Sequence, residues 1–114
     1  QRESLRHEMR GRMETLQGVT SALAAGDWVE VAKRAEVGTR GQHVGVEFRS
    51  ALPQAWFAMA RPMHGEFAAI QREAEGQKRV EVALQHLANA GQYCTSCHAT
   101  FRPVTPSELA VAQQ

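Results

Sequence analysis

The chain predicts an all-α fold, an antiparallel four-helix bundle in a single domain spanning 1–114, and three observations lead there. Aromatic residues make up only 6% of the 114, while alanine, glutamate, arginine, glutamine and leucine are abundant, which is a helix-forming composition. Apolar residues recur at alternating spacings of three and four, with almost no strand-like alternation. A chain this long buries roughly two thirds of its unfolded surface, enough for one core, and glycine and proline punctuation cuts it into four segments with short connections.

The first helix, about 3–25, sets Leu5, Met9, Met13, Leu16, Val19 (or Thr20) and Leu23 on one stripe with charges between them. Gly26-Asp27 breaks it, glycine suiting a helix C-terminus and aspartate the next N-cap. The second helix, about 28–50, starts near Trp28 and carries Val31, Ala35 and Phe48. Gly38, Gly41 and Gly45 weaken its middle by up to ~1 kcal/mol each relative to alanine, and Leu52-Pro53 ends it, since proline disfavours helical geometry in the residue before it. The third, about 62–75, begins at Pro62, repeats Met63, Phe67, Ile70 and Ala74, and closes at Gly76. The fourth, about 77–100, runs Val80, Leu84, Leu87, Gly91, Cys94 and His98 until Pro103 and Pro106 stop it.

A formal net charge of +1 provides neither a basic stripe for nucleic acid nor a strongly acidic face. No apolar run approaches the length of a membrane span. The first residues are charged and amphipathic with no apolar signal region, which reads as a processed chain.

The chemistry lies in Cys94-Thr-Ser-Cys97-His98, the attachment pattern for c-type haem. Cys94 and Cys97 can each form a thioether to the porphyrin, and the His98 imidazole can ligate the iron. The same cysteine spacing suits a redox dithiol or half of a zinc site. A zinc site wants four ligands, however, and His7, His43, His64 and His86 stand without a second cysteine pair. A redox dithiol belongs at a strand-to-helix turn, whereas this motif falls in a helical pattern. On that helix Cys94 and His98 are one turn apart, and Cys97 stands about 100° round from His98, within reach of a second edge of the same porphyrin. Residues 99–114 contain no methionine, so a second axial ligand comes from earlier in the chain. Covalent haem attachment takes place in exported proteins, which predicts a bacterial periplasmic location.

The stretch Tyr93-Cys-Thr-Ser-Cys-His-Ala-Thr-Phe-Arg102 resembles the class II cytochromes c, comprising cytochrome c prime and its low-spin relatives, whose haem motif is followed by an aromatic residue and an arginine. Ser50-Ala-Leu-Pro-Gln-Ala-Trp-Phe57 is similar to the end of that family's second helix. The first helix, with a methionine well upstream of a glycine-containing turn, resembles its distal helix. The resemblance covers nearly the whole chain, and the haem motif with Arg102 is its specific part. It implies one covalent haem c filling the space between helices one and four, with His98 as proximal ligand. Arg102 stands on the proximal side, able to hydrogen-bond a propionate, and Phe101 stands against the haem edge.

The function implied is electron transfer with redox partner proteins and no chemical catalysis. Low-spin members draw a methionine ligand from helix one about four to five turns before the turn, which fits Met9, with Met13 one turn later as the alternative. Histidine and methionine together give a low-spin centre of raised potential. In the gas-binding members a bulky apolar residue stands there, here Leu5, Met13 or Leu16, and the five-coordinate iron takes nitric oxide or carbon monoxide. Met59, Met63, Trp28 and Trp56 read as packing, His7 as solvent-facing, and His86 as lying beside the buried face of the fourth helix. Related bundles pair through their first two helices, a homodimer contact that Val29 and Val37 would suit.

Overall fold

A computed structural model describes the backbone of residues 2–40 and 54–101, and within them the side chains of residues 7, 10–40, 58 and 60–96. The described residues form four helices and no strand: α1 (Arg2–Ala25), α2 (Trp28–Thr39), α3 (Gln54–Glu75) and α4 (Val80–Phe101). They pack together in a bundle-like arrangement. α3 lies closely against both α2 and α4, α1 lies against α2, and α1 and α4 approach each other at few points. No described helix is long and apolar enough to cross a membrane.

The core is built from one stripe of each helix. α3 contributes Met63, Phe67, Ile70 and Ala74, all buried, the stripe expected from its spacing. α2 contributes Val31 and Ala35, and it comes so near α3 that a Cβ at Gly38 would lie 2.5 Å from Cγ of Phe67. Glycine there reflects close approach of the two helices.

α1 and α4 are rotated relative to the stripes read from the sequence. α1 buries Arg12, Thr15, Val19, Ala22 and Leu23, while Met13 is 55% exposed. Thr15 is tolerated on that face because its hydroxyl donates to the Gly11 carbonyl at 2.9 Å. Both stripes satisfy the same three-and-four spacing, and the approach to α2 decides between them. At Gly18 an added Cβ would lie 3.2 Å from Cδ of Arg34, so the glycine edge of α1 is turned to α2. In α4 the buried residues are Ala83, Leu87 and Ala90, whereas Val80 and Leu84 are 44% and 47% exposed.

Two turns fix the hairpins. Gly26 has φ 68, its N–H donates to the Leu23 carbonyl, and the Asp27 N–H donates to the Ala22 carbonyl. This double closure ends α1 in a left-handed residue that glycine adopts without strain. Asp27 then caps α2, its side chain accepting from the Glu30 N–H at 3.1 Å. Glu73 is the hub of the second hairpin. Its carbonyl accepts from the N–H groups of Gly76 and Lys78, and its buried carboxylate accepts from Nε and Nη2 of Arg79 at 3.1 and 2.8 Å. The hydrogen bond from Arg79 holds the Glu73 carboxyl below its ordinary 4.5.

Three helix boundaries differ from the expected ones. α2 ends at Thr39, with Arg40 extended at φ −100 and ψ 140, rather than continuing to 50. Gly38 weakens the helix there, and Gly41, His43, Gly45, Phe48 and the Leu52-Pro53 stop lie outside the described residues. α3 begins at Gln54, so Pro62 is interior and does not open the helix. The alanine-rich run 54–61 favours helix, and the buried stripe after Pro62 offsets the backbone hydrogen bond that proline removes, a loss of about 3 kcal/mol in an unsupported helix. α4 begins at Val80 rather than at 77, because Lys78 takes the left-handed conformation at φ 57 and Arg79 turns back to Glu73. Gly76 closes α3 as expected.

Gly38→Ala should destabilise the fold by about 1–3 kcal/mol through overpacking against Phe67, whereas Gly65→Ala, where an added Cβ meets nothing within 4 Å, should stabilise it by about 0.4–1 kcal/mol. Denaturant midpoints of the two variants check the contrast. Because the Glu73 carboxyl is depressed in the folded state, its contribution is present above its unfolded value of 4.5 and is lost as pH falls through the folded value. Glu73→Gln should therefore lower the thermal midpoint at pH 7 and flatten its decline below pH 4.5; an unchanged acid limb contradicts this.

Candidate functional site

The five residues from Cys94 to His98 lie on the helical backbone of α4. Cys94 is a half-buried free thiol, its Sγ 3.6 Å from Sδ of Met63 on α3. Met63 is 4% exposed, and its sulphur also lies 3.9 Å from Nη1 of Arg12 on α1, a residue only 9% exposed. Three helices thus converge on one pair of sulphur atoms and one guanidinium. Burial pushes the Cys94 thiol up, and Arg12 pulls it partly back. His64, next to Met63, is held below its ordinary 6.5, first by burial and then by the Arg12 charge, so it is a neutral imidazole at neutral pH.

The side of α4 beyond this point is identified by what faces α3. His86 Nδ1 lies 2.7 Å from Oε2 of Glu66, and the Asn89 side-chain amide donates to the same carboxylate at 3.4 Å. Gly91 stands roughly 140° round from His86 on a 100°-per-residue wheel, on the edge shared with Val80 and Leu84. A Cβ at Gly91 would meet nothing within 4 Å. The register of α4 carries this edge on to position 98, two turns later.

α1 presents a matching edge. Gly11 and Gly18 face α2, and Met13 and Leu16 stand roughly half a turn round the helix from them. The register puts position 9 between Met13 and Leu16 on this edge. Arg12 of α1 and Cys94 of α4 both approach Met63 of α3. The Arg12 contact with Met63 and its effect on Cys94 place the two ends together. Exposed apolar side chains stand on both helices, Met13 on α1 and Val80 and Leu84 on α4.

A half-buried thiol at Cys94 and room for a larger group over Gly91 are compatible with an apolar group attached at Cys94. The described residues do not extend to all the expected ligands. The backbones of Met9, Cys97, His98 and Phe101 are helical, their side chains and those of Leu5, Trp56 and Met59 lie outside the described set, and Arg102 lies outside it altogether. Among the described candidates, Met13 and His7 are exposed, and Leu16 is partly buried against the core. Met63 packs as expected, but against the motif cysteine itself. Trp28 packs against the core, and Val29 and Val37 are exposed on α2.

Arg12 was not legible as a site residue, because a charge between Met9 and Thr15 reads as part of a solvated face. The available signal was the Gly11 and Gly18 pair, seven residues apart, which marks the helix-facing edge and so turns Arg12 inward. Among the described residues no three histidine, cysteine, aspartate or glutamate side chains stand together to hold a metal ion. No protein-family model matches the chain, and neither the curated proteins nor the solved structures contain a significant match to it.

Proposed function

We propose that the chain is a monohaem c-type cytochrome that carries electrons in the bacterial periplasm, an antiparallel four-helix bundle with haem c between α1 and α4. The observation that carries this reading is the Cys94-Thr-Ser-Cys97-His98 motif on the helical backbone of α4, with Cys94 half-buried against Met63 of α3. Cys94 and Cys97 would hold the haem by thioethers, His98 would ligate the iron from α4, and Met9 would ligate it from α1, with Met13 as the alternative. When bound, the haem supplies one-electron chemistry.

The chain's own residues do the rest. Met63, Leu87 and Leu16 close the inner side and exclude water from it, so little solvent has to reorient when charge changes there. As a thioether, Cys94 would carry no ionisable proton and so would add no charge to the site. The resemblance of Tyr93–Arg102 to the class II cytochromes supports the same reading and adds Phe101 and Arg102 as haem contacts. Partners would be other redox proteins, and no chemical catalysis is involved.

The visible and near-infrared spectrum of the protein produced with export and haem attachment tests the proposal. A six-coordinate low-spin spectrum with a weak sulphur-to-iron charge-transfer band is expected, and Met9→Ala should abolish that band. A high-spin spectrum that shifts readily with carbon monoxide would instead assign the chain to the gas-binding branch, with nitric oxide or carbon monoxide as ligand. Gly91→Leu should fill the space between the helices and lower the yield of haem-bearing protein severalfold, whereas Gly65→Leu, on an exposed surface, should not. Equal yields from the two variants would place the haem elsewhere.

A further inference from the structure

We propose that the motif end of the bundle is the docking surface for the electron-transfer partner, and that this partner is a protein whose contact rim is acidic. The proposal rests on the haem reading above and names the partner chemistry of that same site. Contacts between the helices fix which residues share the end. Arg12 of α1 and Cys94 of α4 both meet the sulphur of Met63 on α3, so these three positions stand at one level. A Cβ at Gly38 would meet Phe67, which brings the end of α2 close to the same level. From there His86 reaches Glu66 and Arg79 reaches Glu73, so α3 and α4 run in opposite directions. Trp28 and Val29 line one cleft with Ala74 and Lys78, which sets both helix turns at the far end.

Charge is divided between the two ends, although the whole chain carries a formal net charge of only +1. On the motif side of the level of Arg12, Met63 and Cys94, the described backbone bears Arg2, Arg6, Arg10, Arg40 and Arg61 against two acids, Glu3 and Glu8. On the other side it bears five basic residues against eight acidic ones. Arg12 stands on the boundary and enters neither count. Residues 41–53 and 102–114 each contain one base and one acid, so neither segment adds net charge.

The motif itself lies on neutral surface. From Val82 to Phe101 α4 contains no Asp, Glu, Lys or Arg, and Gln92, Thr95 and Ser96 are exposed beside the half-buried Cys94. Arg10 and Arg61 are exposed, and Arg40 lies 3.6 Å from Glu36 in an exposed pair, which holds it weakly. A neutral contact area with basic residues around it suits a transient protein complex, in which opposite charge speeds encounter and the small neutral centre lets go. Nucleic acid binding draws on a longer row of phosphate contacts, and an anionic membrane on clustered Lys and Arg; the uncharged face of α4 supplies neither.

The test is stopped-flow oxidation of the reduced, haem-bearing full chain by two small one-electron oxidants, anionic hexacyanoferrate and cationic tris(phenanthroline)cobalt. Their rates read the charge where the electron leaves, because salt screens charges farther off than about 10 Å. The anion's rate should fall with added salt and the cation's should rise. Arg10→Glu with Arg61→Glu should lower the anion's low-salt rate about tenfold and exchange the two salt dependences, and the milder pair Arg10→Gln with Arg61→Gln should act in the same direction. Lys33→Glu with Arg72→Glu, at the far end, changes the net charge equally and should leave both rates near wild type. Equal effects of the two Glu pairs, or salt dependences of the opposite sign in the wild type, overturn the proposal. Binding of the wild type at physiological salt to phosphatidylglycerol vesicles or to duplex DNA also overturns it, by giving the basic end a different partner. A chain that carries no haem is a different result, one that removes the reading of the site itself.

Discussion

The apolar stripe of α3 is the constraint on which the other helices depend. Met63, Phe67, Ile70 and Ala74 are all buried, and because α3 stands between α2 and α4 this single stripe forms part of both close interfaces. Phe67 holds α2 at the distance that only glycine at position 38 permits, and Met63 reaches the cysteine of α4. α1 is positioned second-hand, through α2 and the tight Gly26-Asp27 closure. A helix held from one side leaves its other edge unsatisfied, and here that edge bears Met13 and Leu16.

The chemistry of the site follows from that asymmetry. α4 is polar where it meets the Glu66 carboxylate and apolar where it faces α1, so its two edges have separate tasks. One fixes its rotation, and the other is where the proposed haem would lie. Exposed apolar surface lost to water is worth about 25 cal/mol per Å² when covered, so a flat apolar cofactor between the two edges would contribute directly to folding. The Glu73 hub makes the same geometry durable. By gathering two backbone donors and one guanidinium on a single residue, it sets the angle at which α4 leaves α3.

Much of this was legible in the sequence, and the failures have a common physical origin. The four helices, the Gly26-Asp27 turn and the α3 stripe follow from spacing and caps, which are local properties. The rotation of α1 and α4 does so only in part: Val19 and Leu23 of the expected α1 stripe and Leu87 of the α4 stripe are buried, but Arg12, Thr15 and Ala22 rather than Met13 complete the α1 face, because the neighbouring helix selects between equally periodic residues. Pro62 misled for a related reason: local rules place proline at a helix start, while tertiary packing of Met63 and Phe67 carries α3 through it. Met63 and Arg12 as companions of Cys94 were not readable, since sequence distance says nothing about contact between helices.

The central claim is that the two helix edges are separated in order to hold a covalently attached haem at Cys94 and Cys97. Intact mass of the exported, purified chain after denaturation tests it most directly, because a thioether-bound haem survives unfolding while a ligated metal or a loosely bound group does not. The account predicts the mass of the polypeptide plus one haem, reduced to the polypeptide mass when Cys94 and Cys97 are both replaced by serine. A colourless chain at the mass of the polypeptide alone, made by cells that attach haem to a control cytochrome, would contradict it.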